Sequence, residues 1–139
     1  MTDIGIIAES WIGTPYRYGG AHKQKGVDCV RFITSVFKEA GILRKGYQPP
    51  KQHRDWMFGK KIDKDYFKNE LLKFCNIENI TDRKEDDVIS FFYDGVESHL
   101  GIIVEDDNVI HAPSGRKVMK HPFKMLKTKA VNIYRAKNV

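Results

Sequence analysis

The hydrophobic period changes once along this 139-residue chain, and that change limits the fold more than any other feature. Up to about Phe74 the apolar residues recur at intervals of three and four. From Asp87 onward they fall in short runs separated by Asp, Asn and Gly. A period near 3.6 asks for helices, and short runs between turn residues ask for strands. Helices first and an antiparallel meander afterwards predict an α+β domain. The length suits a single domain over 1–139, long enough to bury a core without disulfides or metals.

A short helix is expected from Ile4 to Trp11, with Ile4, Ile7, Ala8 and Trp11 on one face and Gly13-Thr14-Pro15 ending it. The stretch from Tyr16-Arg17-Tyr18-Gly19-Gly20 to Gly26 reads as loop and turn. Asp28 to Ala40 is the strongest helix. Cys29, Ile33, Val36, Phe37 and Ala40 recur at helical spacing, Asp28 is a good N-cap, and Gly41 is a good stop. Pro49-Pro50 breaks the chain. Two modest helices follow, about His53 to Phe58 and Lys64 to Phe74, and Thr81 to Asp86 is a polar connector. Strands are expected at Asp87–Tyr93, Ser98–Val104, Val109–Ala112, Arg116–Met119 and Ala130–Tyr134. Asp94-Gly95 and Asp106-Asp107-Asn108 supply turns.

Composition removes several classes. No apolar run approaches the roughly 20 residues of a membrane-spanning helix, so no membrane partner is expected. Met1-Thr2-Asp3-Ile4-Gly5 lacks a basic leader, so no export signal is expected, and the sequence leaves localisation open. Two cysteines, Cys29 and Cys75, are too few for a disulfide scaffold and read as thiols. Cys75 looks like a buried apolar position. Lys and Arg number 24 against 18 Asp and Glu, a net +6 that would favour an anionic polymer. The charges are scattered, and the densest stretch, Lys117, Lys120, Lys124, Lys127 and Lys129, reads as a solvated surface. Without a recognition helix or stacking aromatics, no nucleic-acid partner is expected.

Cys29 follows a glycine-rich turn and heads the strongest helix. A thiol there lies near the positive helix end, which favours the thiolate. That end contributes about 0.3–1 kcal/mol, less than one pKa unit, so a histidine partner must supply most of the activation. Asp28 opposes the thiolate and reads as a cap or as a contact for a substrate ammonium. His99 is the expected base. His111 lies twelve residues on, across the Asp106–Asn108 turn, where a hairpin would bring it beside His99 to fix its tautomer. A single site requires both histidines on the Cys29 side of the sheet. Cys29, His99 and His111 lack the short spacing of a structural zinc site, so no metal and no cofactor is expected. His22, His53 and His121 default to surface or loop roles.

These residues resemble the NlpC-type cysteine peptidases, papain-like enzymes that cut bacterial cell-wall peptides. The resemblance runs through Trp11-Ile12-Gly13-Thr14-Pro15-Tyr16-Arg17-Tyr18-Gly19-Gly20, Asp28-Cys29, Glu85 to Phe92, Ser98-His99-Leu100-Gly101-Ile102 and Val109-Ile110-His111-Ala112. The first block especially resembles phage-tail and prophage members. The resemblance implies a papain-like fold with Cys29 as nucleophile, His99 as base and His111 as orienting residue. It implies that Tyr18, Asp28 and Ser98 line the site, and that the bond cut joins γ-D-glutamyl to a diamino acid in peptidoglycan stem peptides. Delivery by a phage tail or another secretion assembly would bring such an enzyme to the wall. The chain departs from the family in three places. Val30-Arg31 replaces a small pair after Asp-Cys, where Arg31 would face solvent or reshape the substrate pocket. Glu85-Asp86-Asp87 lacks the usual glycine. A helical insert occupies about 46–84. A thiol amidase or acyltransferase, and a non-catalytic tail or wall-binding module, are the alternatives.

Overall fold

The computed structural model describes residues 1–50, 65–93 and 95–137. Helix α1 (Asp3–Ser10) starts at Thr2, whose hydroxyl accepts from the Gly5 N–H at 3.0 Å. A two-stranded ribbon, β1 (Ala21–His22) and β2 (Gly26–Val27), precedes helix α2 (Cys29–Glu39). After the insert come α3 (Tyr66–Leu72) and the strands β3 (Cys75–Glu78), β4 (Val88–Tyr93), β5 (Val96–Val104), β6 (Asn108–His111) and β7 (Met119–Pro122). The short helix α4 (Phe123–Leu126) and β8 (Ala130–Ala136) complete the chain.

Six strands form one antiparallel sheet in the order β3-β8-β4-β5-β6-β7. The chain meanders from β4 to β7 and then returns, so that β8 inserts between β3 and β4. Strand alternation sorts the core into two layers. Val88, Leu100, Ile102, Val104, Ile110 and Tyr134 pack under α1 and α2, against Ala8, Phe32, Ile33, Val36 and Phe37. On the other face Ile89, Phe91, Ile103, Val109, Phe123 and Ile133 form a smaller cluster. The α+β class therefore holds, with both sheet faces partly covered.

Several sequence expectations shift. The first three residues of the expected Arg116–Met119 strand become an approach: β7 begins at Met119, and Val118 instead exchanges backbone hydrogen bonds with Gly13 and Thr14 at 2.9 and 2.8 Å. The glycine-rich stretch before Cys29 contains the β1–β2 ribbon, because Gly20 and Gly26 cross closely; a Cβ on Gly20 would meet the Gly26 carbonyl oxygen at 2.7 Å. Cys75 is buried as expected, but on an edge strand pairing with β8 rather than at a helix end. Of the two insert helices, the second appears as α3, and His53–Phe58 lies outside the described residues. Where the family pattern has glycine, Asp86 takes a left-handed conformation (φ 77°), and its carboxylate accepts from the Thr2 hydroxyl at 2.6 Å. A short polar side chain tolerates that region better than a branched one.

Candidate active site

Asp28 organises the head of α2. Its Oδ1 accepts from the Arg31 N–H at 2.9 Å, as an N-cap does, while Oδ2 accepts from Gly19 N–H and from Arg31 Nη1, both at 2.8 Å. One carboxylate thus ties the aromatic loop to the helix. Arg31 is 8% exposed and its Nη2 also donates to the Pro49 carbonyl. The guanidinium therefore lies behind the cap and is absent from the lining of the cavity described below. One expectation for Arg31, solvent exposure, does not match this position, and the residue bears on the cavity only through Asp28. The cause is the buried carboxylate, which draws the cation inward.

Cys29 is 6% exposed and opens onto a cavity of about 400 Å³. Tyr18, Asp28, Ser98, His99 and His111 line the same cavity, so one space gathers six of the seven residues singled out in the sequence. Tyr16, Phe67 and Tyr93 add an aromatic wall. Phe67 comes from α3, which makes the insert part of the cavity. Tyr93 and Phe67 carried no local motif, because their role depends on pairing between distant elements.

His99 Nε2 and His111 Nδ1 are 2.7 Å apart. The β5–β6 register explains this contact. Gly101 faces His111 across the ladder, and His99 is two residues along on the same side. A Cβ on Gly101 would meet Val109 Cγ1 at 2.5 Å and His111 Cβ at 3.2 Å. The missing side chain lets the two imidazoles meet on the diagonal. A register shift near Ser98, where Phe91 pairs with His99 but Phe92 with Glu97, marks a bulge at the cavity rim. The His99 ring rests between Phe91 and Tyr93, with centroids 5.6 and 6.0 Å away.

The histidines do not lie on the helix side of the sheet. Alternation places His99 and His111 with Ile103 and Val109, opposite the face that packs on α2. The cysteine and the imidazoles reach the cavity from opposite faces. They meet beside β5 where β6 ends at His111, and there the Leu100 N–H is turned to the Cys29 sulfur. Among the described residues no sulfur–imidazole hydrogen bond is formed. With Nε2 engaged by His111, Nδ1 is the other ring nitrogen of His99.

Burial decides the resting charges. The Cys29 thiol is pushed up to about 12, first by burial and then by the Asp28 carboxylate, while the N–H groups of Leu100, Val30 and Cys29 offset part of this. The helix-end stabilisation expected for the thiolate is thus outweighed. His99 is lowered to about 3 by burial and by His111, and His111 to about 4 by burial and by His121. The resting site is a neutral thiol among neutral imidazoles. No group of three or more His, Cys, Asp or Glu among the described residues is arranged to hold a metal ion.

A cysteine at a helix head thus faces an imidazole pair across an aromatic cavity, on a papain-like fold of helices and antiparallel sheet. Residues 13–135 match the NlpC/P60 family, and the chain belongs to it. It is 31% identical over 114 residues to the probable endopeptidase NlpC of Escherichia coli strain K12, covering 81% of this chain and 61% of that protein. It is 32% identical over 78 residues to the gamma-DL-glutamyl hydrolase of Bacillus subtilis strain 168, covering 53% of this chain and 18% of that protein. The chain therefore spans less than two thirds of the length of these curated relatives. The structure of NlpC1 from Trichomonas vaginalis superposes with a TM-score of 0.69 at 20% identity, covering 96% of this chain and 42% of that one. The papain-like NlpC/P60 fold is common to both.

Proposed function

We propose that this domain is a cysteine peptidase that hydrolyses an amide bond in peptidoglycan stem peptides, the bond from γ-D-glutamyl to a diamino acid. The observation that carries the reading is the 2.7 Å His99–His111 contact on the wall of the cavity that holds Cys29. Similarity to an endopeptidase NlpC and to a gamma-DL-glutamyl hydrolase supports the substrate class.

The proposed reaction starts from the neutral pair. His99 Nδ1 takes the thiol proton as Cys29 Sγ bonds to the γ-glutamyl carbonyl carbon, so the costly buried ion pair forms only as the bond does. The backbone N–H of Cys29 receives the oxyanion. The C–N bond then breaks, and the imidazolium returns its proton to the leaving amine. Water, deprotonated by His99, cleaves the thioester and restores the thiol. His111 keeps His99 Nε2–H engaged throughout. Asp28 and Ser98 receive the free amine of the stem peptide, with Tyr18 on the cavity wall near Cys29 and Arg31 holding Asp28 in place. Delivery to the wall by a phage tail or another secretion assembly belongs to this proposal.

Digestion of defined muropeptides, read by mass spectrometry, tests the reading. Wild type should release fragments split between γ-D-glutamate and the diamino acid, and Cys29→Ala should leave them intact. Identical products from both proteins overturn the reading and leave a wall-binding module as the alternative.

A further inference from the structure

The histidine pair does not end at His111. His121, which the sequence placed by default on the surface, stands half-buried on β7, opposite Val109. Its Nδ1 lies 2.8 Å from His111 Nε2, with the ring centroids 5.1 Å apart. His99, His111 and His121 therefore form one line running away from the cavity. Both contacts join the Nε2 of one ring to the Nδ1 of the next.

A neutral imidazole carries one ring proton, so each ring in the line donates on one side and accepts on the other. Only two neutral arrangements satisfy both contacts. In one, every ring is the Nε2–H form, and His99 presents a bare Nδ1 to the thiol. In the other, every ring is the Nδ1–H form, and His99 has no lone pair there. Only the first gives a base. Neither contact chooses between them by itself, because each ring can turn either nitrogen into the donor; the choice follows from whether His121 Nδ1 is an acceptor.

We propose that His121 is a positioning residue that sets the direction of this line. Its Nδ1 lone pair accepts from His111 Nε2–H. That leaves His111 Nδ1 as the acceptor for His99 Nε2–H, and leaves His99 Nδ1 free for the Cys29 proton. His121 acts through His111 and does not itself line the cavity. The inference rests on the Cys29–His99 reading but is independent of the substrate.

Two variants and two substrate-free readouts test it. His121→Leu removes the acceptor, and His121→Gln keeps one in its side-chain carbonyl. Iodoacetamide alkylation near neutral pH reports Cys29, with Cys75 as the internal control. Long-range nitrogen–proton NMR reports the ring tautomers. We expect His111 as the Nε2–H form in wild type and a mixture of forms in His121→Leu. Cys29 alkylation should fall about tenfold in that variant, the scale of losing a partner that orients a reactive group. His121→Gln should recover most of the rate. Wild-type alkylation rates in His121→Leu, or an Nδ1–H His111 in wild type, overturn the proposal. If His121→Leu does not fold, the wild-type tautomer decides. Should wild-type Cys29 react no faster than Cys75, the thiol reading fails, and the tautomers still decide the role of His121.

Discussion

Gly101 shows how one residue type can hold a site together. It contributes no side chain, yet its backbone faces His111 and its absent Cβ leaves the room in which His99 and His111 meet. The nearest obstacles to a methyl group there are Val109 Cγ1 at 2.5 Å and the Ile110 carbonyl oxygen at 3.2 Å, both in a packed sheet. Gly101→Ala should push β6 outward, cost about 1–3 kcal/mol of stability and lower hydrolysis by displacing His111. Thermal denaturation and muropeptide turnover measure the two effects. A variant with unchanged stability and rate would contradict the assigned crowding. The same scale also shows what was readable in advance. Cys29 was legible from its place after the glycine turn, and His99 and His111 from a turn that pairs their strands. His121 was not, because nothing near it in sequence announces a contact that forms only when β7 pairs with β6.

At the scale of the element, α2 does more than carry Cys29. Its cap, Asp28, is also the anchor of the Tyr16–Gly20 loop and the partner of Arg31. The departure from the family's small pair after Asp-Cys is therefore compensated within one helical turn. Arg31→Leu should destabilise the protein by roughly 3 kcal/mol, since it leaves the Asp28 carboxylate buried without its cation. Denaturant unfolding reads this directly, and a loss below the size of a surface pair would show that the backbone donors suffice. Helix α2 was predictable to within a residue because cap, apolar face and Gly41 agree. Strand β3 was missed because four residues at a sheet edge, half of them exposed, show no alternation of their own. The β1–β2 ribbon was missed for a similar reason, since its strands are two residues each and depend on a close glycine crossing.

For the whole molecule, the buried histidines link stability to pH. His99 and His111 are held below their ordinary 6.5, at about 3 and about 4, chiefly by burial. Below pH 6.5 the unfolded chain binds protons that the folded chain refuses. Stability therefore falls as the pH drops from 6.5 towards 4, with a limiting slope of about 1.4 kcal/mol per pH unit for each histidine. Calorimetry between pH 7 and 5 should show the fall, and His111→Gln should flatten it. An unchanged slope in that variant would mean that the histidine is charged in the folded state. The two-layer α+β architecture was legible from the change of period alone. The side from which the histidines approach was not, because strand alternation sets which residues share a face but not which face receives the helices.

The central claim is that Cys29 carries the acyl group of a cell-wall peptide. Rapid-quench mass spectrometry of the protein with a defined stem peptide tests it most directly. The account predicts a transient species heavier by the γ-glutamyl half of the substrate, mapped to the peptide containing Cys29, and no turnover by Cys29→Ala. Turnover by Cys29→Ala at the wild-type rate, with no adduct on Cys29 in the wild type, would contradict it.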